Sequence, residues 1–350
     1  MSIRGPSVTR LLILACLSLF AAGTPAADTT PSPKASPQQV QGLAQALAAE
    51  LKSDCPLADP SSQAAFDRCR QALFGDSRIK RALASRVLWG RQARDPATPL
   101  KDSRLTQFAP DIYAGLYLPV FMFDGSVDVR WVESEKLYQV RLGAAFRNRL
   151  APGEFPYPFW HDPAKWDAYE NANAVLFWID TAVGGLISIA QFTWQDGPLP
   201  SVVVSKQVPP PFDGKWLWTD AAGQTQPAVT LFDGLYSANN PFKAELDTQY
   251  RHLAVALREG ECFDCHVPSN PNGLKRLVLL QTPAHAAGEI GRILKSVRSD
   301  RIPLDETGIE KPLPAQLKAV LLSLGTAFEK AVEDARAWES LQRQLTVAKP

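Results

Sequence analysis

Methionine is nearly missing from this chain of 350 residues, which has two, and histidine is scarce, at four. Net charge is close to nil, since 37 basic residues against 36 acidic ones leave +1. Nucleic-acid binders carry a strong basic excess, so that class is set aside. Five cysteines are too few for a disulfide-dense miniature scaffold, and few enough that each can be explained singly. No apolar run reaches the length of a membrane span, so no transmembrane span is expected. At 45% apolar and 21% charged, the chain is too apolar for a disordered one. Its length suits two or three domains.

What is present begins with an export signal. Residues 1–27 carry Arg4 and Arg10, then the apolar run Leu11 to Gly23, then small residues. That three-part pattern predicts a secretory signal peptide cleaved near Ala26 or Ala27, and hence a periplasmic protein. A lipid anchor on Cys16 is disfavoured, because almost no apolar run precedes it and Leu14 is bulky for its place. Cleavage removes two arginines and no acid, taking the charge from +1 to −1, and it removes Cys16. Four cysteines then enter an oxidising compartment, where paired thiols become disulfides. Cys55 and Cys69 are expected to form one, closing a loop worth about 3 kcal/mol in the chain-entropy model. A functional dithiol is the rival reading, though the pair lacks the close spacing of a redox motif.

Residues 28–37 read as a flexible leader rich in Pro, Ser and Thr. Apolar residues at three- and four-residue spacing then predict helices over 38–52, 61–74 and 76–89, making 38–107 a helical region. From residue 108 the period becomes two. Strands are expected over 127–132, 137–146, 174–179, 186–194, 202–205, 216–219 and 229–232, with Asp-Gly and Gly-Gly turns between them. A largely antiparallel β-rich middle domain over 108–240 follows. It includes a rigid aromatic loop at 155–161 and a short helix near 163–171. Seven tryptophans lie in it, among them Trp131, Trp178 and Trp218. Aromatic clefts bind ligands, but aromatic cores are commoner. The last stretch, 241–350, turns helical again at 244–258, 282–297 and 313–347. Thr282 is placed as the N-cap of the second of these, with Pro283 at its first helical position.

The strongest chemical signal is Cys262-Phe263-Asp264-Cys265-His266. Two thiols three positions apart reach both vinyl groups of a haem, and the adjacent histidine is placed to ligate the iron. A zinc site would need a fourth ligand, and the chain holds no second Cys-x-x-Cys. A thioredoxin-like dithiol would need a βαβ context, whereas helices are expected on both sides. A disulfide between the two leaves His266 unexplained. Export and the motif support each other, since c-type haem is attached outside the cytoplasm in bacteria.

Over about 245–350 the chain resembles the cytochrome c family. There a first helix ends at the haem motif, a loop and middle helix follow, and a C-terminal helix packs on the first. The resemblance implies one covalent haem c on Cys262 and Cys265, His266 as proximal ligand, an all-α cytochrome c-like domain, and electron transfer to a redox partner protein. The fold class expected for the whole is therefore multidomain α+β: an N-terminal helical segment, an antiparallel β-rich middle domain and an all-α C-terminal domain.

The departure from the family lies at the sixth ligand. No methionine follows Cys265, where the family supplies one before the last helix. Met122 stands in an apolar strand and reads as core filler. His285, among Ala284, Ala286, Ala287 and Gly288, is the candidate distal ligand, because small neighbours would let its helix approach a flat macrocycle. The plainer reading has His285 bonding a backbone group or a haem propionate. An open iron, His252 and His161 are the alternatives. An open or displaceable distal site would suit a haem-based small-molecule sensor or enzyme. A third possibility is a ligand- or protein-binding module with an auxiliary haem. Lys275, Arg276, Arg292, Lys295, Arg298 and Arg301 stand against Glu289 and Asp300 over 267–301. Such an excess steers an acidic partner, or it complements a helix C-terminus. No catalytic triad, phosphate loop or paired-carboxylate signature is evident.

Overall fold

The computed structural model describes residues 35–74, 77–91, 105–147, 150, 172–193, 217–219, 225–227, 232, 235–267, 270, 272–280, 282–305 and 308–347. The expected signal peptide, the aromatic loop with His161, the helix near 163–171 and the strand at 202–205 lie outside them. So does all but Phe232 of the strand at 229–232.

Helix α1 (Pro37–Asp54) starts where the sequence gives it a capping box. Ser36 Oγ accepts from the Gln39 backbone N–H, and Gln39 Oε1 accepts from the Ser36 N–H. Its apolar stripe of Val40, Ala44, Leu47 and Leu51 is buried, and the helix lies against strand β3 (Phe121–Val132). Helix α2 (Gln63–Phe74) follows, tied to the end of α1 by a disulfide between Cys55 and Cys69, whose Cα atoms are 4.6 Å apart. The Phe123 N–H donates to Cys55 O, so the tied corner also holds the start of β3.

The expected helix over 76–89 is corrected. Helix α3 (Arg78–Ala82) is one short turn capped by Ser77, and Leu83–Arg91 is strand β1. The reason is its position. In the main sheet β1 is an internal strand, with Leu186–Thr193 on one side and Thr106–Phe108 on the other, and its Val87–Trp89 stretch is buried on both faces. Val87 and Trp89 enter the main core, while Leu88 packs on the other face with Leu105, Trp178 and Ile189. A strand apolar on both faces loses its alternation and can mimic a helical spacing.

The expected fold class is also corrected. The sheet is seven-stranded and mixed, not antiparallel: β1 runs parallel to β6 (Leu186–Thr193), and β2 (Thr106–Phe108) runs parallel to β9 (Leu277–Val278). The antiparallel part is β3, β4 (Leu137–Phe146), β5 (Ala174–Asp180) and β6. A small hairpin, β7 (Leu217–Thr219) with β8 (Thr225–Pro227), forms a second sheet. The region after residue 241 is not an all-α unit, because β9 belongs to it and closes one edge of the main sheet. A single hydrophobic cluster runs from Val40 through the sheet to Ala335, and Pro33–Pro350 form one compact unit.

The segment between β2 and β3 is helical and irregular. Helix α4 (Pro110–Ile112) runs into a π turn, Tyr113–Tyr117, and a 3-10 turn, Leu118–Val120. Helices α5 (Lys243–Glu259), α7 (Pro283–Arg298) and α8 (Ala315–Val347) complete the molecule, with α5 and α7 packed on α8. The Tyr250 ring on α5 packs at a tilt 5.8 Å from the Phe328 ring on α8, and Tyr250 donates its hydroxyl hydrogen to Leu280 O just before α7. Among the described residues, no helix is long and apolar enough to cross a membrane.

Candidate haem attachment site

Helix α5 stops at Gly260, whose N–H donates to Ala256 O, and Glu261 takes a left-handed backbone conformation (φ 58°) that redirects the chain. The next four residues, Cys262–Cys265, make a single helical turn, α6. That turn sets the two thiols three residues apart, on one side of the helix. Both are half-buried and neither is in a disulfide. Cys262 packs at the edge of the core, and burial pushes its thiol up to about 11. Cys265 Sγ accepts from Asn272 Nδ2 at 3.0 Å.

His266 caps the turn, its N–H donating to Cys262 O. Its side chain and backbone are both fixed by the β9 segment. Nδ1 lies 2.9 Å from Val278 O, and the Leu280 N–H donates to His266 O at 3.2 Å. A carbonyl only accepts, so Nδ1 carries the proton and Nε2 holds the free lone pair. Burial lowers the imidazole pKa, the Val278 carbonyl opposes this, and the nearby Arg292 cation lowers it further. The ring is therefore neutral at pH 7, with Nε2 ready to ligate a metal. A backbone carbonyl on the second nitrogen is the arrangement that orients ligating histidines.

These residues fit a c-type haem: two unpaired thiols on one turn, followed by an oriented imidazole. Among the described residues, no three His, Cys, Asp or Glu side chains gather around a point that could hold an ion. Thioether attachment needs no such gathering, because the thiols bond to carbon rather than to metal.

His285 lies elsewhere in the bonding scheme. It is in the first turn of α7, 2% exposed, with Nδ1 bonded to Thr282 Oγ1 and Nε2 bonded to Tyr117 Oη at 3.1 Å. Thr282 occupies the N-cap position but makes no side-chain cap, since its hydroxyl is engaged with His285. Burial drives the His285 pKa down to about 3. The small residues around it serve contacts within the protein. A Cβ on Gly288 would stand 2.6 Å from Ile112 Cγ1. His252 is exposed on α5, and Met122 is fully buried in β3 opposite Ala145.

The basic excess near the motif is partly internal. Glu289, 3% exposed, receives Arg292 at 3.1 Å and Arg86 at 3.6 Å, and Arg292 also donates to Gln107 Oε1. Asp300 pairs with Lys318 at 2.6 Å, while Lys275 and Arg276 face solvent. Sequence reasoning missed Val278, whose backbone carbonyl leaves no signature in a side-chain pattern. It also missed Tyr117 as the partner of His285, 168 positions away.

Comparison of the chain with protein families, with curated proteins and with solved structures finds no match.

Proposed function

We propose that this protein is exported to the periplasm, carries one covalent haem c on Cys262 and Cys265 with His266 as axial ligand, and transfers single electrons to a redox partner protein. The observation that carries the reading is the Cys262–His266 turn, with two free thiols and an imidazole whose Nδ1 is tied to Val278 O. Cys262 and Cys265 would hold the haem as thioethers, each S–H having added across one vinyl double bond, sulfur to one carbon and the proton to the other. When bound, the haem supplies a one-electron iron couple. The chain's own part is to hold the ring. Val278 fixes the His266 tautomer and raises the basicity of Nε2, and Cys262 is packed against the core edge. The proposal places this chemistry on a mixed α/β framework, not on a cytochrome c-like domain.

The hydrogen bonds of His285 favour a second reading of the sixth position. Iron ligation through either ring nitrogen would break a buried bond to Tyr117 or Thr282. A weak or exchangeable sixth ligand fits those bonds better, and with it a haem-based sensor or small-molecule enzyme.

The test is expression through the export route in a host that matures c-type cytochromes, then a pyridine haemochrome spectrum of the purified protein. The expected result is one haem per chain with the spectrum of two thioether bonds. Cys262→Ala and Cys265→Ala should each shift the band toward a single thioether or lose the haem. Exported protein without covalent haem overturns the proposal. Carbon monoxide then separates the two readings, since a displaceable sixth ligand gives a changed reduced spectrum.

A further inference from the structure

Strand β3 stands at one end of the main sheet. Among the described residues its strand neighbour is β4 alone, apart from a single bridge between Pro56 and Phe123 at its start. The other end of the sheet is β9, with two residues, whereas β3 has twelve. An open edge offers a row of backbone N–H and C=O groups to a further strand, and proteins blunt such rows with proline, lysine or short length. The stretch Ser126–Val132 holds neither proline nor lysine. Its pairing with β4 slips between Phe123 and Val127, around Gly125 (φ 87°), and is regular from Val127 to Val132.

Over that stretch the side chains alternate between the two faces. Val127 and Val129 pack on the main core, and Trp131, on their face, is 42% exposed with its ring T-shaped to Tyr138. Asp128 and Arg130 stand exposed on the other face. On β4, Asp128 lies opposite Arg141, and Arg130 lies opposite Gln139, whose Oε1 accepts from its Nε at 2.6 Å. This pattern is its own complement. An antiparallel pair of β3 strands, related by a two-fold axis at Val129, sets Asp128 of each copy against Arg130 of the other. On the apolar face the same axis sets Val129 against Val129 and each Val127 against a Trp131, a β-branched residue beside an aromatic one. Moving the axis by one residue either way would set Asp128 or Arg130 against its own copy, and like charges directly opposite are destabilising. Charge complementarity therefore selects the register, and a two-fold contact of one patch with itself closes at two copies.

We propose that the open edge of β3 is a docking surface for a second copy of this chain, the two β3 strands pairing antiparallel about Val129. This interface stands apart from the haem reading and does not depend on it. The test is the mass of the exported, purified protein by sedimentation equilibrium at concentrations up to about 100 μM, where a micromolar contact is filled. A dimer is expected. Asp128→Arg and Arg130→Asp each bring like charges together at two places, and each should weaken the dimer about tenfold or more. The double exchange, Asp128→Arg with Arg130→Asp, restores both opposite-charge pairs and should return the dimer. A wild-type protein that stays monomeric overturns the proposal, whether or not any variant folds. Single variants that dimerise as the wild type does place the contact elsewhere and overturn it as well. A double exchange no stronger than the single ones overturns the register at Val129.

Discussion

At the scale of single residues, His285 shows how a buried ionisable group couples to acid. Its two ring nitrogens meet Thr282 and Tyr117, so the neutral ring is satisfied and the charged ring has no water to receive it. The folded pKa is about 3, against an ordinary 6.5. Between those values the unfolded chain binds a proton that the folded chain refuses. The contribution of His285 is thus fully present above pH 6.5 and is lost as pH falls toward 3, by about 1.4 kcal/mol per pH unit. His285→Gln removes the titration while keeping polar atoms near Tyr117 and Thr282. Urea unfolding at pH 7, 6, 5 and 4 should show a shallower loss of stability in that variant, by about one proton's worth of slope. Parallel slopes for the two proteins would refute the linkage. The Cys262-x-x-Cys265-His266 run was legible at this scale because Cys and His are scarce, and the haem it would hold is the proposed function. The environment of His285 was not, because it is made by Tyr117, 168 positions away in sequence.

At the scale of elements, two glycines on packed helices separate propensity from packing. Gly to Ala inside a helix ordinarily stabilises by about 1 kcal/mol. At Gly288 on α7, a new Cβ would lie 2.6 Å from Cγ1 of Ile112, a branched and buried side chain on α4, and 3.3 Å from Ala109 Cβ. Neither neighbour can swing aside, so Gly288→Ala should destabilise by about 1–3 kcal/mol, the usual cost of overpacking. At Gly325 on α8 the close atom is Cδ2 of Leu294, at 2.7 Å, the far end of a rotatable side chain. Gly325→Ala should therefore fall near neutral. Melting temperatures of the two variants check the contrast, and equal shifts would contradict it. The same distinction governs what the sequence reveals about elements. Helices α1 and α5 have one buried face, so their period shows. Strand β1 has Val87 and Leu88 in two different cores, and β2 and β9 are three and two residues long, too short to hold any period.

At the scale of the whole molecule, the haem motif lies within a structure assembled from distant parts of the chain. Strand β9, whose Val278 carbonyl orients His266, is held to the sheet by β2. Helix α7 leans on α4 through Gly288 and Ile112, and on the π turn through His285 and Tyr117. Arg292 reaches Gln107 in β2, and Arg336 on α8 pairs with Asp111 on α4. Ser237 and Asn240 close another junction by donating to the buried Glu339 on α8. A stretch cut at residue 241 would lose Thr106 beside Leu277, Tyr117 beside His285, Arg86 beside Glu289 and Ile112 beside Gly288 at once, and expose Ala284, Ala286 and Ile290 to water. The isolated segment 241–350 should accordingly retain helical circular dichroism but melt without a cooperative transition. The chain from residue 33 onward should unfold in one transition seen alike by near- and far-ultraviolet signals. A sharp, two-state melt of the segment alone would show that the C-terminal helices build their own core, and that the strands β2 and β9 only decorate it. If the segment fails to fold, haem attachment becomes a property of the whole protein. Loss of β2 then releases Val278, and with it the tautomer of His266, although residue 106 lies far from the motif in sequence.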